Sequence, residues 1–245
     1  MKSKSVLLMM FALLTADLGA AGPGAGSSSC FFRTVGLGVQ LSDVLYQDGK
    51  EFKPLSVEDE RRSKFFPVAA GTSELVLARM VENAEGKSVP AEIQRVALDP
   101  SSRRSLLIFS KKGDTGQGWN VLSLPDNATN VPPGGYRFVN FLDIPAGIIL
   151  GEKSVILKPG ESTISEVRPA GDQVVFKVQV YQIPKGNPTA VYSNIWAFDP
   201  AKRHLVIIAP STETVSKVEV KRLSEYSNAI PEEGVTPAPA NAKAP

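Results

Sequence analysis

Between residues 174 and 183 the chain reads VVFKVQVYQI, with an apolar residue at every second position. Val174, Phe176, Val178 and Val180 point one way, and Lys177, Gln179 and Tyr181 the other, which is the period of a half-buried β-strand. KVEVKRL (217–223) repeats the pattern, with Val218 and Val220 opposite Lys217, Glu219 and Lys221. ELVLARM (74–80), RSLLIF (104–109) and HLVIIA (204–209) are continuously apolar but only strand-sized. Such runs predict strands packed on both sides or in a sandwich core. Between the runs stand QDGK, PPGG, KPGE, PKGNP and two Asp-Pro corners, all turn chemistry. Only SVEDERR (56–62) could form a helical turn. Short strands at roughly ten-residue spacing predict an all-β fold built as a sandwich.

The pattern occurs twice. ALDPSSR (97–103) returns as AFDPAKR (197–203), each between a strand and an apolar run. In each corner the Asp carboxylate is placed to accept a backbone N–H two residues on, while Pro presets φ. Arg103 and Arg203 then stand where the next strand leaves the turn. The match extends: DGKEFKPLSVED from Asp48 has its counterpart in GEKSVILKPGES from Gly151, and SELVLARMV in QVVFKVQVY. An offset near 100 residues predicts two tandem immunoglobulin-like β-sandwich units related as an internal repeat, residues 31–125 and 132–228. Residues 126–131, within PDNATNVPP, form the linker.

The two ends lie outside this pattern. Lys2 and Lys4, then VLLMMFALL (6–14) and a small-residue stretch, are the layout of a secretory signal peptide, residues 1–21, with cleavage after Ala20 or Ala21. The apolar run is too short to cross a bilayer, and no later stretch reads as a membrane span. The reading is of an exported protein, periplasmic or extracellular, with residues 22–30 a flexible leader. Cys30 is the lone cysteine, so no internal disulfide can form. It is a candidate lipid attachment point, although SSS precedes it where an aliphatic residue is usual. Residues 229–245, rich in Pro and Ala, read as a disordered tail.

Charge excludes one class of partner. With 27 Lys and Arg against 25 Asp and Glu, the chain lacks the basic stripe of a nucleic-acid binder. Arg61–Arg62, Arg103–Arg104 and Lys111–Lys112 read as solvated turn charges. Candidate chemistry is sparse. The single histidine, His204, has no second ligand or base partner in the sequence and reads as a structural residue at a strand edge. Glu58, Asp59 and Glu60 are adjacent carboxylates, a pattern of loop charges rather than of an opposed acid/base pair. DNATN (126–130) lacks the spacing of a calcium loop. GDTGQGW (113–119) lacks the lysine and helix of a phosphate loop and reads as a hairpin tip. No catalytic, metal or cofactor residue is assigned. Trp119, Tyr136, Tyr192 and Trp196 remain as candidate contact aromatics for a glycan or protein partner.

PPGGYRFVNFLDIPAGIILGEKSVILKPGES (132–162) resembles a segment of secreted bacterial β-sandwich proteins of unknown function, in which P-x-G-x-Y-R-F-x-N opens a sandwich and L-x-P-G-x-S closes its next hairpin. The resemblance implies fold elements and no activity. LKPGES and FKVQVYQIPKG are also similar to periplasmic pilus chaperones, which add a strand to a sheet edge. In that family the Ile-Pro stretch ends the first domain, whereas Ile183-Pro184 falls inside the second unit here. The expected function is a non-enzymatic exported binding or cell-envelope module. The alternatives are a pilus-type assembly chaperone and a carboxylate-dependent hydrolase.

Overall fold

The computed structural model describes residues 30–111, 118–127, 130–167, 174–211, 215 and 217–229. The first unit holds β1 (Cys30–Leu37), β2 (Leu41–Asp48), β3 (Glu51–Val57), β4 (Phe66–Val68), β5 (Glu74–Glu82), β6 (Ser88–Ala97), β7 (Arg104–Lys111) and β8 (Trp119–Pro125). The second holds β9 (Gly135–Asn140), β10 (Ala146–Leu150), β11 (Lys153–Leu157), β12 (Ser162–Glu166), β13 (Val175–Gln182), β14 (Thr189–Ala197), β15 (Lys202–Pro210) and β16 (Val218–Tyr226). No α-helix occurs among the described residues; SVEDERR runs from the end of β3 into an irregular loop with two isolated bridges, Glu58 to Arg61 and Asp59 to Gly36.

Each unit is a pair of four-stranded sheets, and the strand orders match. The first pairs β4-β1-β7-β8 with β3-β2-β5-β6, the second β12-β9-β15-β16 with β11-β10-β13-β14. In both, the first strand runs parallel to the seventh while the other pairings are antiparallel. One irregularity recurs, a register shift at Leu77/Ala78 in β5·β6 and at Val180/Tyr181 in β13·β14, whereas the shift at Leu41/Val44 in β2·β3 has no counterpart in β10·β11. Two-residue hairpins, Gly49-Lys50 and Gly151-Glu152, join β2 to β3 and β10 to β11. The glycines have φ of 63° and 61°, the left-handed conformation that such a hairpin needs at its first turn residue.

The two Asp-Pro corners form as their sequence predicts. Asp99 Oδ1 accepts the backbone N–H of Ser101 at 2.9 Å, and Asp199 Oδ1 that of Ala201 at 3.0 Å. The first corner is one residue longer, which changes the expected equivalence. Arg104, not Arg103, is the buried counterpart of Arg203, and Arg103 is exposed.

Three cores stack in one direction. Phe32, Tyr46, Leu55, Leu75, Leu77 and Phe109 fill the first sandwich. Tyr136, Phe138, Ile148, Val178, Trp196 and Ile208 fill the second. Between them lies a third core, where Val35, Leu106, Ile108 and Leu124 of the first unit meet Val139, Leu205, Ile207 and Ala209 of the second. The molecule is thus four sheets deep, with β4-β1-β7-β8 and β12-β9-β15-β16 as inner sheets. This explains the two kinds of apolar pattern. β7 and β15 feed a sandwich core from one face and the shared core from the other, so they are continuously apolar. β13 lies in an outer sheet with one wet face, so it alternates. Val174, counted with that alternation, precedes the strand and is exposed.

Two boundaries move. Cys30 opens β1, opposite Val68, so the strand begins inside the expected leader. The stretch expected to be a plain linker contributes to the seam, since Asp126 and Val131 are both buried. The signal peptide, the proposed cleavage site and the tail from residue 230 lie outside the described residues.

Candidate functional site

The seam carries a buried charge network and, elsewhere along it, an open groove. The network begins with an arginine placed at the same position of each inner sheet. Arg33 on β1 is paired with Leu106 of β7, and Arg137 on β9 with Leu205 of β15. The carboxylates are also equivalent: the Asp126 N–H bonds the Arg104 carbonyl, and Glu225 pairs with Arg203. The alternation that sends Val35 and Val139 to the third core sends these charged side chains there too.

The units exchange partners at this point. Arg33 donates Nε to Asp126 at 2.6 Å and both terminal nitrogens to Glu225 at 2.6 and 2.7 Å. Arg203 donates to Glu225 at 2.6 Å and to Asp126 at 2.9 Å. Arg33 and Glu225 come from opposite units, as do Arg203 and Asp126, so the ring is sewn across the seam. Burial alone would raise the Glu225 carboxyl; the Arg33 hydrogen bonds and the charges of Arg62, Arg33 and Arg203 overcome it and hold the group at about 2. Arg62 stands 3.8 Å from Glu225 and is pushed down to about 10, chiefly by burial and also by its arginine neighbours. Arg62 and Arg104, expected as solvated turn charges, are largely buried; Arg33 and Arg104 both lie over the Phe65 ring.

His204 is also placed differently from expectation. It lies within β15, between β9 and β16, and is only 4% exposed rather than at a sheet edge. Its ring stacks on Tyr136 with centroids 4.4 Å apart, and Nδ1 lies 2.7 Å from Ser224 Oγ. Burial, reinforced by the Arg222 charge, pushes it down to about 4, so it is neutral at pH 7.

The groove opens between the units toward the ends of β8, β9 and β16. One lobe, about 450 Å³, is lined by Gln94, Trp119, Asn120, Leu122, Asn140 and Phe141. The other, about 890 Å³, shares Asn120 and Phe141 and continues over Leu37, Asp59, Glu60, Lys217, Glu219 and Lys221. Lysines 111, 217 and 221 face Asp59, Glu60 and Glu219, so the lobe is polar without a dominant sign. Lys221 binds Glu60 and lies 3.2 Å from Glu219. Asn140 is already committed to the fold: its amide donates to the Ile144 and Leu157 carbonyls and accepts the Leu142 N–H.

Of the four candidate aromatics, one reaches this groove. Trp119 is half-buried, edge-on to Phe109, with the Arg79 guanidinium 5.1 Å from its ring. Tyr136 and Trp196 are core residues of the second sandwich, too buried for ligand contact. Tyr192 supports them: its hydroxyl accepts the Trp196 indole N–H at 3.0 Å. Asp59 and Glu60 do prove to be exposed loop charges on the groove rim. Asp126, in DNATN, is held by the arginines. Most of GDTGQGW lies outside the described residues. Ile183-Pro184 leads into a short three-ten turn between β13 and β14, inside the second unit. Sequence reasoning missed the buried network and Phe141. One signal was available: CFFRTVGL and GYRFVN each set an arginine in an apolar strand at equivalent places.

No helix among the described residues is long and apolar enough to cross a membrane. Comparison of the chain with protein-family models and with curated proteins finds no match to either.

Proposed function

We propose that the protein is an exported, non-enzymatic binding or cell-envelope module, and that its ligand seats in the groove between the sandwiches. The observation that carries this reading is the groove itself, a two-lobed surface of mixed polar and apolar character at the seam of two packed units, with Trp119 and Phe141 among its lining residues. Balanced charge, amide side chains and aromatic faces suit a near-neutral polar chain, a glycan or an extended peptide. The third core supports the reading as well, since it fixes the two walls relative to each other and limits the ordering cost of binding. Export rests on the N-terminal charge and apolar pattern.

The test is a glycan array and a peptide library probed with the mature protein and with Trp119→Ala. Ligands bound by the parent and lost by a folded W119A variant would support the groove. Ligands retained by W119A and by Phe141→Ser would place binding elsewhere. A second reading has its own observation. β6 and β14 are long edge strands of the outer sheets, open to strand addition of the kind assembly chaperones use. A peptide that binds by pairing with either strand, with its amides protected from exchange, would favour that reading.

A further inference from the structure

The buried network contains more positive than negative charge. Among the described residues, the guanidiniums of Arg33, Arg62, Arg137 and Arg203 meet only two carboxylates there, Asp126 and Glu225. Both Asp126 oxygens are taken, one by Arg33 and one by Arg203, and Glu225 is held by the same two arginines. Arg62 reaches Glu225 only at 3.8 Å and gives one terminal nitrogen to the Leu223 carbonyl at 3.5 Å, so it and Arg137 are only partly compensated. Arg137 gives one terminal nitrogen to the Pro125 carbonyl, while its Nε has no partner; the Nε of Arg62 also makes no hydrogen bond. An uncompensated charge in a dry seam is costly, and natural structures rarely leave one so.

These groups surround a cavity. A small, partly enclosed space of about 10 Å³ is lined by Arg62, Arg137, Arg203, Asp126, His204 and hydrophobic neighbours. That volume holds one atom-sized guest and excludes sulfate or phosphate. His204 Nε2 is a third buried nitrogen without a partner. With Nδ1 accepting the Ser224 hydroxyl, Nε2 carries the proton and becomes another donor.

We propose that this cavity is a structural halide site, occupied by chloride and held by Arg62, Arg137 and His204 where the two sandwiches meet. The anion supplies the missing negative charge and fastens the seam from inside. The downward shifts of Arg62 and Arg137, driven first by burial, agree with buried positive charge that lacks a full counterion, while His204, neutral, adds only a donor. A single water accepts from at most two of these three donors and leaves the charge uncompensated.

Thermal unfolding of the mature protein in sodium chloride, bromide and gluconate at matched ionic strength separates these cases. Chloride and bromide should raise the Tm above its gluconate value, by about 3–6 °C per tenfold concentration once the site saturates. Arg137→Met should remove the halide-specific part and leave the general salt effect. Crystals grown in sodium bromide should give an anomalous peak in the cavity, a readout that does not depend on any variant folding. Equal Tm in all three salts, or bromide confined to the surface with water in the cavity, would overturn the assignment.

Discussion

Replacing Glu225 by Gln keeps the shape of the side chain and removes the charge on which three arginines converge. Two independent routes give the size of the effect. Breaking a buried pair by neutralising one partner costs about 3–5 kcal/mol, and Glu225 is 13% exposed, which favours the lower end. By linkage, a carboxyl moved from 4.5 to about 2 contributes roughly 3 kcal/mol, at about 1.4 kcal/mol per unit. The sign follows from the depressed value: the stabilisation is complete above the unfolded pKa and is lost as pH falls from about 5 to about 2. Urea unfolding at pH 7 should therefore show E225Q destabilised by about 3 kcal/mol with an unchanged m-value. Its stability should also fall less steeply than the parent's below pH 5. A loss under about 1 kcal/mol, with the parent's acid limb intact, would refute the reasoning, because the charge would then have been solvated.

Other expectations follow from single contacts. Ile207→Ala empties part of the shared core, where the parent residue is 1% exposed, and should cost about 2–5 kcal/mol in urea unfolding. Gly36→Ala places a methyl 1.9 Å from the Val39 carbonyl oxygen, a backbone atom, and should destabilise by at least about 3 kcal/mol or prevent soluble expression. Tyr192→Phe strands the Trp196 indole N–H and should cost about 1–3 kcal/mol, with a shift in tryptophan emission. His204, charged only below about 4 when folded, makes stability fall as pH drops from about 6.5 toward 4. His204→Gln should flatten that part of a pH–stability curve.

Strand type and repeat were legible because they rest on local rules. Alternation at 175–182, continuous burial in β7 and β15, and the Asp-Pro corners each follow from spacing of two or from turn chemistry. The seam was less so. A continuous apolar run signals cover on both faces but not what covers it, and here the cover is the other half of the repeat. Arg62 and Arg104 sit in ordinary basic pairs, and only the meeting of two sheets distant in sequence turns them inward. Tyr136 and Trp196 show the converse error: an aromatic in a strand carries no mark of whether it faces core or groove. Trp119 reaches the groove because it opens β8, where the units part.

The account depends on the two sandwiches being one body, and the tryptophans report on it separately: Trp119 belongs to the first unit and Trp196 to the second. Urea unfolding of Trp119→Phe and Trp196→Phe, each followed by its remaining tryptophan and by far-UV circular dichroism, reads both halves. If the third core and the charge network join the units, the fluorescence and dichroism midpoints coincide within each variant. Midpoints that separate would show two domains unfolding independently, and the fixed groove between them would fall with that result.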